Sequence, residues 1–62
     1  MTLPDQLKQH RAQYRLSQEK MAQRIGVSLA TYRRWEYGKR KPSVMGWRAL
    51  AAVGINQEAQ GR

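Results

Sequence analysis

The stretch Gly26-Val27-Ser28 constrains the fold of this chain more than any other feature. On one side, Ser17 and Gly26 bracket a run of strong helix formers from Gln18 to Arg24. On the other, Ser28 and Gly38 bracket a second run reaching to about Tyr37. Serine is a good helix N-cap, and glycine ends helices by adopting the left-handed conformation without steric cost. Two short helices joined by so few residues cannot lie antiparallel. They must cross steeply, which requires a small residue where the backbones approach, and Ala22 supplies it. The crossing also needs apolar wedges, and Met21, Ile25, Val27, Tyr32 and Trp35 stand at helical spacing to serve.

Two more helices flank this pair. Leu3, Leu7, Arg11 and Tyr14 follow one another at steps of four, four and three, one face of a helix over about 3–13. Thr2 and Asp5 form a capping pair ahead of it, and Pro4 is tolerated in a first turn. Ser43 caps a fourth helix over about 44–53, with Val44, Trp47, Leu50 and Ala51 expected to face inward. Gly46 should weaken that helix by up to about 1 kcal/mol relative to alanine, and Gly54 stops it. The expected organisation is one all-α domain over residues 1–55, followed by a polar tail over 56–62. It has four helices, or five if the tail adds one.

Composition narrows the function. A chain of 62 residues buries only about 60% of its unfolded surface, which leaves no room for a deep catalytic cleft. No cysteine is present, and the single His10 cannot build a zinc site alone. No nucleophile–base pair stands out, so no catalytic residue, metal or cofactor is expected, and the protein is read as a non-enzyme. Twelve basic residues against four acidic ones give a net charge of +8. Such an excess points to a polyanion, nucleic acid before an anionic membrane. No apolar run approaches the roughly 20 residues of a membrane span. The first residues carry no secretory pattern, and a cytoplasmic protein is expected.

The spacing thus describes a helix-turn-helix arrangement, and the residues carrying it resemble a known family. Leu16-Ser17-Gln18-Glu19, Met21-Ala22, Ile25-Gly26-Val27-Ser28, Thr31-Tyr32, Trp35-Glu36-Tyr37-Gly38-Lys39 and Pro42-Ser43 are similar to the phage repressor and Cro-like, or Xre, helix-turn-helix family. The resemblance covers residues 3 to about 55. It implies a compact bundle of four or five helices that binds double-stranded DNA through the start of the third helix, usually as a homodimer on a palindromic operator. It implies base contacts from the first, second and sixth positions of that helix, here Leu29, Ala30 and Arg34. It also implies a partly buried salt bridge between Arg11 and Glu36, which makes Glu36 structural.

The residues themselves point to the same face. Six basic residues and one acid between Arg24 and Lys41 leave a local charge of 6 − 1 = +5. Arg34 is expected to make the main polar base contact, bidentate to guanine, with Leu29 and Ala30 on thymine methyls. Arg33 is read as a second base contact or a phosphate contact. Ser17 and Gln18 stand where a helix N-terminus favours an anion. Ser28, Tyr37, Lys39, Arg40 and Lys41 complete the expected phosphate clamp, Tyr37 being alternatively a plain exposed loop residue.

Other residues have plainer readings. Trp35 and Trp47 are core anchors. Tyr32 is core, with its hydroxyl free to reach toward DNA. His10, Lys20 and Arg24 are solvated surface residues. The function read from all this is a transcriptional regulator, most simply a phage-type or mobile-element repressor. The alternative is the antitoxin of a toxin–antitoxin pair, with a toxin as second partner. For dimerisation the C-terminal end offers only Val53 and Ile55, so the chain is expected to pair on DNA and to be weakly associated or monomeric without it.

Overall fold

The computed structural model of the chain describes residues 2–56. They form four helices, α1 (Leu3–Tyr14), α2 (Gln18–Ile25), α3 (Leu29–Glu36) and α4 (Val44–Ala52), and no strand occurs among the described residues. The architecture is all-α. The expected polar tail, and with it any fifth helix, lies outside the described residues beyond Asn56.

Each helix begins on a hydroxyl. Thr2 Oγ1 accepts from the Asp5 N–H at 3.3 Å, Ser17 Oγ from Lys20 at 3.1 Å, Ser28 Oγ from Thr31 at 3.1 Å and Ser43 Oγ from Gly46 at 3.3 Å. Such caps satisfy backbone donors that have no intrahelical partner, and each is worth about 1 kcal/mol. Gly26 ends α2 in the left-handed region with φ 96°, its N–H and that of Val27 both donating to the Ala22 carbonyl. The end of α1 carries no glycine. Arg15 itself takes the left-handed conformation at φ 56°, and the N–H groups of Arg15 and Leu16 both donate to the Arg11 carbonyl. An L-residue adopts this region at some steric cost, and the sequence shows no stop signal there.

The core gathers Leu3 and Leu7 from α1, Met21, Ala22 and Ile25 from α2, Tyr32 and Trp35 from α3, Leu50 from α4, and Ile55 beyond it. Helix α3 packs on both α1 and α2, and α4 packs on α2. Burying a large apolar side chain is worth about 1.5–3 kcal/mol, so these few residues carry most of the stability.

The face of α4 differs from the expected one. Val44 is 71% exposed and Ala51 is also exposed, whereas Leu50 is buried and Trp47, half-buried, packs against the core as expected. The inward stripe is Gly46, Ala49, Leu50 and Val53, which is the i, i+3, i+4, i+7 pattern of one helix face. Gly46 has no side chain to mark the stripe, so the apolar pattern reads from Val44 instead. Its missing Cβ is what lets the helix approach. A methyl there would stand 3.0 Å from Pro42 Cβ, 3.0 Å from Trp35 Cζ2 and 3.2 Å from Trp35 Cη2, and both neighbours are buried.

Three further expectations are corrected. Tyr14, although in line with Leu3 and Leu7, is 49% exposed, with its ring beside His10 and against the Arg24 guanidinium. Ile55 is 3% exposed and belongs to the chain's own core, so it is not free to meet a second copy. His10 is half-buried, not solvated. Its ring lies on Tyr14, with centroids 4.7 Å apart, and its Nε2 is shielded from water without a partner among the described residues. Burial first, and the Arg24 charge second, lower its pKa from the ordinary 6.5.

Two outcomes are expected. Gly46→Ala gains about 1 kcal/mol of helix propensity but overpacks against Pro42 and Trp35, which costs about 1–3 kcal/mol. Its melting temperature should fall by about 4–8 °C, the shift of roughly 1 kcal/mol in a domain this small; a rise would show that the neighbours yield freely. Because the fold disfavours charged His10, the unfolded chain takes up the proton more readily. The stability tied to neutral His10 is therefore complete above pH 6.5 and is lost as pH falls from there through the lower folded value. Urea midpoints measured from pH 8 to pH 5 should decline more steeply for the wild type than for His10→Gln.

Candidate nucleic-acid interface

Helix α3 turns two unlike faces outward and inward. Tyr32, Trp35 and Glu36 are buried, whereas Ala30, Arg33 and Arg34 are exposed and Leu29 and Thr31 are half-buried. The alternation follows from 3.6 residues per turn, which places 32, 35 and 36 on one side and 30, 33 and 34 on the other. Ser28 closes the start of the helix doubly. Its Oγ accepts from the Thr31 N–H, and its hydroxyl donates to Thr31 Oγ1 at 2.9 Å.

The basic loop hangs from the far end of the same helix. Gly38, at φ 76°, turns the chain, and the N–H groups of Lys39 and Arg40 donate to the Arg34 carbonyl at 2.8 and 3.3 Å. Lys39, Arg40 and Lys41 are all exposed, as is Tyr37. The six basic residues between Arg24 and Lys41 therefore all lie at the surface. Arg24 is not simply solvated, since its guanidinium sits 5.1 Å from the Tyr14 ring centre, a contact worth about 0.5–1 kcal/mol at an exposed site.

The one acid in this segment, Glu36, is removed from the surface. It is 4% exposed. Arg11 Nη1 lies 3.0 Å from each of its carboxylate oxygens, and Arg11 Nε donates to the Leu16 carbonyl at 3.1 Å. The Tyr32 hydroxyl donates to Glu36 Oε1, and Gln18 Nε2 donates to Oε2 at 3.3 Å. A buried carboxylate is tolerated only when it is paired and hydrogen-bonded in this way. Burial, and then the bond to Glu36, raise the Tyr32 pKa, so the phenol remains a neutral donor. Its hydroxyl points into the fold and not toward any ligand, unlike the option left open by the sequence.

Gln18 is the residue whose role the sequence showed least. It is half-buried at the first position of α2. Besides Glu36, its Nε2 donates to the Tyr37 hydroxyl at 3.0 Å, and its Oε1 accepts from Arg33 Nε at 3.2 Å. Nothing in the spacing of Gln18, Arg33 and Glu36 signals this joint, because it exists only once α2 and α3 cross. What stays open toward an anion at that helix end is backbone N–H rather than the Gln18 side chain. Ser17 is exposed beside it, with its Oγ accepting from Lys20.

Arg33 and Arg34 of α3 and Lys39, Arg40 and Lys41 of the loop thus present five exposed cations, while the first turn of α2 carries the exposed Glu19 and Lys20. Among the described residues, no group of three or more His, Cys, Asp or Glu gathers as metal ligands, and no helix is long and apolar enough to cross a membrane. Arg11→Met should strand the Glu36 carboxylate on two neutral donors. The loss is placed at the lower end of the roughly 3–5 kcal/mol for a broken buried pair, since Arg11 keeps 27% of its side chain exposed. Urea unfolding followed by circular dichroism would show it, and Arg11→Met combined with Glu36→Leu should recover part of the loss. A single variant as stable as the wild type would contradict this view of the pair.

A family model described as helix-turn-helix matches residues 7–58. Searches of curated proteins and of solved structures returned no significant match. With most of its length matched and its two central helices crossed over the Gly26 turn, the chain belongs to the helix-turn-helix family, a DNA-binding and regulatory domain.

Proposed function

We propose that the protein is a sequence-specific repressor of the phage or mobile-element type. It acts in the cytoplasm, with α3 in the major groove of a double-stranded operator and two copies on adjacent half-sites. The observation that carries this reading is the exposed edge of α3, with Ala30, Arg33 and Arg34 outward and the basic loop tied to its end. In such docking the first residues of the second helix of the motif meet base edges. Arg34 makes the main polar base contact, bidentate to guanine, while Leu29 and Ala30 lie on thymine methyls. Ser17, the helix end at Gln18, Ser28, Tyr37, Lys39, Arg40 and Lys41 hold phosphates, a sequence-independent grip that sets register and orientation.

Selection of bound duplexes from a random pool tests this. Two half-sites related by a dyad should emerge, one helical turn apart, about 34 Å. With about five phosphates neutralised per subunit, log K should fall against log salt with a slope of about −4 to −5, doubled for a dimer. Arg34→Ala should lower discrimination at a single base position by about tenfold, within the range for one bidentate contact. Equal weakening on every sequence would remove Arg34 from the base-reading set, and the absence of any enriched sequence would remove the repressor reading itself.

A further inference from the structure

We infer that Gln18 is a positioning residue that holds Arg33 as a second reader of guanine. This inference rests on the DNA-binding reading above. Arg33 Nε donates to Gln18 Oε1 at 3.2 Å, although Arg33 is exposed and sits on a different helix. With Nε occupied, the guanidinium still offers the parallel N–H groups of Nη1 and Nη2. That outer edge matches the O6 and N7 acceptors of guanine. Arg33 is the fifth residue of α3, four after Leu29. Gln18 also bonds Glu36 and Tyr37, so the anchored guanidinium lies where the N-terminus of α2 meets α3, on the outward side of that helix with Ala30 and Arg34.

The amide of Gln18 has only one workable orientation. An ionised carboxylate only accepts hydrogen bonds. The Gln18 NH₂ must therefore face Glu36 Oε2, and its second proton goes to the Tyr37 hydroxyl at 3.0 Å. The carbonyl oxygen is left facing Arg33, whose Nε only donates. Arg11 in turn holds the Glu36 carboxylate, with 3.0 Å to each oxygen. A sequence of bonds thus runs from the buried ion pair to the surface arginine. An arginine anchored at Nε loses less freedom on binding than one swinging in solvent, so its preference for the right base is sharper.

The test uses the full chain and selection from random duplex DNA. The wild type should enrich one guanine per half-site that Arg33→Ala abolishes. Gln18→Met keeps the side-chain length without hydrogen bonds to Arg33. It should lower the preference at that same position by about tenfold, while leaving the preference at the other positions unchanged. Unchanged preference at that position would overturn the inference. So would uniform weakening with a salt slope reduced by about one, the signature of a lost phosphate contact. If Gln18→Met fails to fold, nitrogen-15 spectra of the free wild type decide instead. A resolved, slowly exchanging Arg33 Nε–H supports the anchor, and one averaged like a solvated arginine refutes it. If the wild type enriches no sequence at all, the DNA-reading hypothesis fails first, an outcome distinct from the others.

Discussion

The Glu36 carboxylate is the point to which the rest of this small fold is tied. It sits at the end of α3 and takes bonds from Arg11 of α1, from Tyr32 one turn earlier and from Gln18 at the start of α2. Three helices thus meet at one buried charge. An apolar contact of the same area would tolerate sliding, whereas a desolvated carboxylate is tolerated only with its partners in place. In a 62-residue domain, where a single core rarely supplies more than about 3–5 kcal/mol, that requirement sets the relative placement of α1, α2 and α3 as well as adding stability.

The same arrangement separates charge. Among the residues from Arg24 to Lys41 the only acid is inside and paired, while the six cations are outside. The surface therefore presents an uncompensated positive field along α3 and the loop that follows it. Gln18 joins the two regions, bonded inward to Glu36 and outward to Arg33. Stability and recognition draw on a shared set of hydrogen bonds, so a change to the inner pair would be felt at the outer face.

Much of the fold was legible because its signals are local. Ser17, Ser28 and Ser43 mark helix starts, and Gly26 marks an end, through hydrogen bonds and backbone angles that involve neighbours in sequence. The inward side of α3 was equally legible, since Tyr32 and Trp35 are large enough to announce it. The left-handed Arg15 was not, because nothing about an arginine foretells that angle. The stripe of α4 was misread from Val44, because its closest approach is made by Gly46, a residue that contributes only the absence of a Cβ. Of the candidate site, the exposed positions of Ala30, Arg33 and Arg34 followed from helical periodicity, while the engagement of Gln18 by three partners did not.

By itself, then, the sequence determined four capped helices, the steep joint at Gly26-Val27-Ser28, the surplus of positive charge and the face of α3 turned away from Tyr32 and Trp35. Each depends on interactions within a few residues or on a sum over the chain. Tertiary structure alone decided that Ile55 would close the core and that Gln18 would bridge Glu36 and Arg33. Those outcomes depend on the distance between residues far apart in the chain, and that distance is set only when the helices pack.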